Sequence, residues 1–241
     1  MKITLLVPTL NELEGMKAIM PRIKDGWVDQ VIVVDGHSTD GTAEFAKQRG
    51  YFVYVQKKKG LRYAFIEALP YIEGDVVITF SPDGNSVPEL IPPLIEKMKE
   101  GYDMVIVSRY LDGARSEDDD PITAFGNRFF TKTINLLHGD HYTDAMVMFR
   151  AYKTKLIYDL ELHKDGAYAT AEKLFHTHIG WEPLLSVRAA KCKLKIGEIP
   201  GNEPARISGE RKLQIVRWGC AYLFQVVREK FCWSPTKRLN V

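Results

Sequence analysis

Apolar positions in the first half of the chain fall into short unbroken runs, and amphipathic stretches separate them. Residues 3–7, 30–34, 51–55, 76–79 and 102–107 are rich in β-branched, aliphatic or aromatic side chains. Such runs suit strands buried on both faces. Between them, residues 14–24 and 60–69 read as helices, Ser38 or Thr39 can cap a third helix through Gln48, and Pro88-Glu89 opens a fourth. Strand and helix thus alternate from the first residue. That order predicts an α/β fold with a mostly parallel sheet and helices on both faces.

After Arg109 the periodicity loosens. Residues 112–120 form a polar, acidic loop expected to be mobile. A helix over 125–137 places Phe129, Phe130, Ile134 and Leu137 on one side, and residues 144–151 are a short apolar segment. A helix over 168–178, a strand over 193–199 and a long amphipathic helix over 213–233 complete the chain. In that last helix Gln214, Arg217, Gln225, Arg228 and Glu229 make a polar stripe, leaving Trp218, Tyr222, Phe224 and Phe231 on an apolar face for the core, a partner or a membrane interface. The expected division is one α/β unit over 1–205, with halves 1–110 and 111–205, followed by a basic helix and tail over 206–241.

Composition narrows the function classes. The 241 residues are 45% apolar and 27% charged, as in soluble globular proteins. A net charge of +2 argues against a nucleic-acid binder. The charge is uneven: from Arg206 onward there are eight Lys or Arg against two Glu, whereas residues 117–120 are all acidic. A basic end suits an anionic surface or a phosphate. Cys192, Cys220 and Cys232 lack metal-ligand spacing, so a reducing, cytoplasmic setting is expected. The first apolar run is too short for a signal peptide, and no stretch approaches the roughly 18 apolar residues of a membrane span. Membrane contact, through residues 206–233, would be peripheral.

Three polar turns follow three early strands: Asn11-Glu12, Asp35 with Asp40, and Asp83 with Asn85. Strand ends of open α/β sheets are where ligands bind, so these turns should share one rim. Neither a GxGxxG nor a GxxxxGK[ST] stretch is present, which disfavours dinucleotides and P-loop nucleotides. Carboxylates on such a rim suggest a diphosphate bridged by Mg2+ or Mn2+, with Asp83 and Asn85 as candidate ligands. An ordinary strand-to-helix turn explains Ser81-Pro82-Asp83-Gly84-Asn85 as well. The stretch Gly36-His37-Ser38-Thr39-Asp40 has the place of a hydrolase nucleophile elbow but carries Asp40 where the second glycine belongs. His138, Asp140, His141 and Asp144 could be metal ligands or a polar loop.

The segments VPTLNE (7–12), VVDGHSTDGT (33–42), KGLRYA (59–64), DVVITFSPDGNSVPELI (75–91) and VSRY (107–110) resemble, in order and spacing, family 2 glycosyltransferases of the GT-A fold. Thr143-Asp144, Phe149-Arg150, Glu172, Glu198-Ile199-Pro200 and Arg206 with Gly209-Glu210-Arg211-Lys212 resemble the dolichol-phosphate mannosyltransferase branch. The resemblance implies that Pro8, Asn11, Glu12, Asp35 and Arg62 line the nucleotide-sugar donor. It implies that Ser81 and Asp83 occupy the family's DxD metal motif, with Asn85 as the polar ligand that follows. Ser81 stands in place of the first acid, and Gly36 in place of a second Asp. The implied reaction is an inverting transfer from a donor of the GDP-mannose or UDP-glucose type. A polyprenyl-phosphate acceptor would need cations, for which Arg109, Arg128, Arg150, Arg206 and Lys212 are candidates. A hydroxyl acceptor on a glycan or small molecule would need a base, for which Asp144 is the candidate. A non-catalytic nucleotide-sugar binder is the alternative of another class.

Overall fold

The computed structural model describes residues 1–207 and 215–235. The buried runs become strands β1 (Ile3–Thr9), β2 (Gln30–Asp35), β3 (Phe52–Val55), β4 (Val76–Thr79) and β5 (Met104–Ser108). Helices α1 (Leu13–Ile19), α2 (Thr42–Gln48), α3 (Leu61–Ala68) and α4 (Ile91–Lys99) connect them. With β6 (Arg150–Lys153) and β7 (Ile196–Pro200) they form one sheet in the order β3-β2-β1-β4-β6-β5-β7. It is parallel except for β6, which runs against both β4 and β5. β1 and β4 are buried almost throughout because helices cover both faces of the sheet.

Helix α5 (Pro121–His138) starts earlier than the sequence pattern indicates. Asp120 caps it by accepting from the amides of Ile122 and Thr123, and Pro121 takes the first helical position. α2 is entered through Gly41 rather than capped by Ser38 or Thr39; Asp40 bonds the amides of Thr42 and Leu13 instead. The apolar segment 144–151 contributes only its end to β6.

Among the described residues, three α-helices lie between α5 and the last one: α6 (Leu156–Asp159), α7 (Ala169–Phe175) and α8 (Glu182–Lys191). α8 has no sequence signature, because it is buried nearly all round and carries Glu182, Ser186 and Arg188 inward. A helix without a solvent face shows no 3.6-residue alternation. α9 (Ile215–Cys232) packs on α5, α7 and α8. Its expected polarity is corrected by the structure. Gln225 and Glu229 point inward, to the Ala167 carbonyl and to the buried Arg188, while Phe231 is 82% exposed. The Arg188 charge requires a buried counter-ion, and that need overrides the hydropathy pattern. Lys191 closes the helix by donating to the carbonyls of Glu229, Lys230 and Trp233.

Candidate active site

The loops after β1 and β2 brace one another. Asn11 adopts a left-handed backbone (φ 57°), which Asn tolerates better than most residues, and its Oδ1 accepts from the Thr39 amide at 2.8 Å. Its own amide donates to Ser38 Oγ at 2.9 Å, and the Glu12 amide donates to Thr42 Oγ1 at 2.9 Å. Asp35 is 2% exposed and accepts from the Ser38 amide and from Thr9 Oγ1. Pro8 sits near the same strand end, paired in register with Val34. Asn11, Glu12, Asp35 and Pro8 therefore lie on one rim, where the donor was expected. Ser38 is spent on this bracing.

The turn after β4 is the next piece of that rim. The Asn85 amide donates to Asp83 Oδ1 at 3.1 Å, the local bond that makes Asp a turn residue. Gly15 on α1 permits the close approach that seats it: a Cβ there would stand 2.3 Å from the Pro82 carbonyl oxygen. Gly84 (φ +101°) lies under Ile207, whose amide donates to the Asp83 carbonyl at 2.8 Å. Asp83 Oδ2 lies 3.3 Å from Arg206 Nη1. Asn85 Nδ2 donates at 3.0 Å to Asp118 Oδ2, which is also 3.4 Å from Arg206 Nη2. Asn85 Oδ1 is buried without a hydrogen-bond partner. A buried orphan acceptor beside a carboxylate fits a hard, oxygen-ligated cation. Among the described residues no three His, Cys, Asp or Glu are grouped to hold a metal unaided. A cation here would thus share its shell with a ligand's oxygens and water, as Mg2+ commonly does.

The remaining candidates do not all reach this rim. Asp144 is fully buried, and both its oxygens are taken by Arg109, at 2.6 Å from Nε and 3.0 Å from Nη2. Arg109 also reaches Glu203 at 3.2 Å. Burial works against the Arg109 charge, but the Asp144 and Glu203 carboxylates together outweigh it and the guanidinium pKa is raised. Glu203 is held above the usual carboxylate range by burial, which Arg109 only partly offsets. Glu198 props this pair by accepting from the amides of Thr143 and Asp144. Asp144 is therefore a locked counter-ion rather than an open base, and Arg109 is already neutralised.

Arg150 is corrected outright as a phosphate ligand. It is fully buried, and its guanidinium donates to the carbonyls of Ala145, Val147 and Glu182 and to Ser186 Oγ. Its role is to tie β6 to α8. Arg62 is likewise turned inward, held by Asp165 and by both oxygens of Glu172, with the rings of Tyr63 and Tyr168 within 4.3 Å of its guanidinium carbon. These contacts tie α3 to α7. Arg128 is exposed on α5, with its guanidinium over Tyr110. Lys212 lies outside the described residues. His138 donates its Nε2 proton to the Val226 carbonyl, and among the described residues it joins no group of three His, Cys, Asp or Glu that could hold a metal.

The acidic loop before α5 holds residues that sequence reasoning passed over. The structure ties it down through the Arg115 amide to Asn202 Oδ1, the Glu117 amide to the Glu203 carbonyl, and Tyr110 Oη to Asp119. Asp118 thereby arrives beside Asn85. Only the run of four acids hinted at it, and such a run reads equally as a solvated loop.

A mostly parallel α/β sheet with one reversed strand and a polar rim at the strand ends is the architecture of the GT-A fold. Residues 4–160 match the glycosyl transferase family 2 pattern, and the chain belongs to that family. It is 29% identical over 226 residues to the dolichol-phosphate mannosyltransferase of Pyrococcus furiosus, covering 89% of this chain and 60% of that protein. It is 25% identical over 255 residues to the undecaprenyl-phosphate mannosyltransferase of Micrococcus luteus, covering 95% and 99%. Among solved structures, glucosyl-3-phosphoglycerate synthase from Mycobacterium tuberculosis, in complex with Mn2+, UDP and glucosyl-3-phosphoglycerate, superposes with a TM-score of 0.63. That match has 19% identity and covers 98% of this chain and 81% of the other. The GT-A fold and the glycosyltransferase class expected from the sequence are thus borne out. Among the described residues no helix is long and apolar enough to cross a membrane.

Proposed function

We propose that this enzyme transfers a sugar, with inversion, from a nucleoside-diphosphate sugar to the phosphate of a polyprenyl lipid. The observation that carries the donor half is the Asp83–Asn85 turn at the end of β4, with the buried, unpartnered Asn85 Oδ1 beside the carboxylate. In this reading Asp35, Asn11 and Glu12 hold the nucleoside. Asp83 and Asn85 would hold Mg2+ or Mn2+ at the diphosphate, where the cation supplies positive charge to the leaving group. An acceptor phosphate oxygen attacks the anomeric carbon, that carbon's bond to the diphosphate oxygen breaks, and the nucleoside diphosphate leaves with the bonding electrons.

The acceptor half is supported by the state of Asp144. A phosphate monoester, with a second pKa near 6, is already mostly anionic and needs no base. A hydroxyl acceptor would need one, and the candidate is locked by Arg109. The two polyprenyl-phosphate relatives point the same way. A bilayer contact also fits the surface. α5 and α9 lie side by side, joined by His138 to the Val226 carbonyl and Lys230 to the Leu137 carbonyl. Ile122, Phe125, Phe129 and Leu136 follow at three-, four- and seven-residue spacing on the exposed side of α5, and Val216, Val227 and Phe231 are exposed on α9. Exposed Arg128, Lys132, Arg217 and Lys230 accompany them, which suits an anionic bilayer.

The test is transfer from labelled GDP-mannose and UDP-glucose, with Mn2+, to dolichyl or undecaprenyl phosphate in anionic vesicles. Label should enter the organic phase as a lipid-phosphate sugar, and Phe125→Glu with Phe231→Glu should release the protein from the vesicles. Donor binding without transfer to any lipid phosphate would refute the acceptor assignment, and transfer to a sugar hydroxyl instead would establish the alternative.

A further inference from the structure

Taking the rim as the cation–diphosphate site of the function proposed above, Asp83 alone is a thin carboxylate complement, because Ser81 brings no charge to the start of its turn. The fold brings a second carboxylate from elsewhere. Asp118 is held against the turn by Asn85 Nδ2 at 3.0 Å, and one guanidinium, that of Arg206, touches both Asp83 at 3.3 Å and Asp118 at 3.4 Å. Two carboxylates converging on one cation mark a position that demands positive charge.

Arg206 occupies that position loosely. Its two contacts are longer than the roughly 2.7–2.9 Å of well-formed charged hydrogen bonds. Its Nε is buried with no hydrogen-bond partner. An arginine placed for permanent pairing would offer its planar fork to one carboxylate, as Arg109 does to Asp144.

The two groups are also presented together. The Glu203 amide donates to the Arg115 carbonyl at 2.9 Å, the Glu117 amide to the Glu203 carbonyl at 2.8 Å, and Ser116 Oγ bonds the Glu203 carboxylate. Residues 115–118 and 201–207 thus form one paired strap, anchored to the turn by the Ile207 amide. We propose that Asp118 is the second carboxylate of the cation position, replacing the acid absent at Ser81. Arg206 holds that position until a divalent cation displaces its guanidinium from between Asp83 and Asp118. The displacement follows from like charge: a divalent ion bound to both carboxylates and a guanidinium bound to the same oxygens exclude one another.

The experiment is Mn2+ binding to the intact chain, read by the electron paramagnetic resonance of free Mn2+, alone and with GDP or UDP, so no turnover is needed. Thermal melts verify that each variant is folded. Asp118→Asn should weaken Mn2+ binding by about 10–100-fold. Arg206→Gln should tighten it several-fold, most clearly without nucleotide, and Asp118→Asn should still weaken binding in the Arg206→Gln background. Glu117→Gln, one residue away with an exposed side chain, should bind as the parent does. If Asp83→Asn weakens binding and Asp118→Asn does not, the assignment of Asp118 is overturned while the rim keeps its function. If Arg206→Gln binds no more tightly, the displacement is overturned. If Asp83→Asn also leaves Mn2+ binding unchanged, the site reading beneath both is overturned.

Discussion

Replacing Gly15 by alanine puts one methyl group between α1 and the turn that carries Asp83. The new Cβ would stand 2.3 Å from the Pro82 carbonyl oxygen, 3.1 Å from its carbon and 3.2 Å from the Asp83 Cα. All three are backbone atoms, so no side-chain rotation relieves the contact. Restoring a carbon–oxygen separation of about 3.3 Å requires roughly 1 Å of relative movement. Overpacking of this kind costs about 1–3 kcal/mol, against which alanine's better helix propensity returns up to about 1 kcal/mol. For a domain of this size each kcal/mol lowers Tm by about 2–4 °C. The larger consequence is functional, since displacing a catalytic group by about 1 Å can cost on the order of 100-fold in rate. Gly126→Ala is the control: it lies inside α5 with no atom within 4 Å of the added Cβ. There the same substitution should stabilise by about 0.5–1 kcal/mol and leave turnover intact. Melting curves and initial rates of sugar transfer on both variants decide the matter. A Gly15→Ala protein that melts and turns over like the parent refutes the claim that this contact seats Asp83.

Two further outcomes follow from the buried charges. Asp144→Ala leaves Arg109 buried with only Glu203 as counter-ion and should cost about 3–5 kcal/mol, seen as a large fall in Tm; lost turnover at unchanged Tm would instead restore Asp144 as a base. Glu182 is held above its ordinary 4.5 by burial, so the fold favours its protonated form. The sign follows: this stabilising preference is complete below pH 4.5 and is lost as pH rises through the higher folded value. Glu182→Gln should therefore shrink the difference in Tm between pH 4.5 and pH 8, and an unchanged difference would show that another group sets it.

Local order was legible in the chain. The runs of apolar residues marked five strands, the polar turns behind them marked one rim, and Asp83-Asn85 stood at the end of β4 as read. These features depend on neighbours within a few residues, which periodicity reports directly. The helix α8 was not legible, because burial on all sides erases the alternation that announces a helix. Nor was the fate of the charged residues. Arg109 and Arg150 read as candidate phosphate ligands and Arg62 as a donor-lining residue, and packing buries all three against partners of their own.

The difference is one of sequence distance. Asn85 meets Asp118 across 33 residues, Arg109 meets Asp144 across 35, and Arg62 meets Glu172 across 110. A charge's partner at such a range is chosen by the topology of the sheet and the paths of its loops, and no local pattern records it. The sequence by itself determined where strands end and therefore where a ligand can sit. Only the tertiary structure decided which charges face that ligand, because burying a charge requires a counter-charge that the fold alone can bring to it.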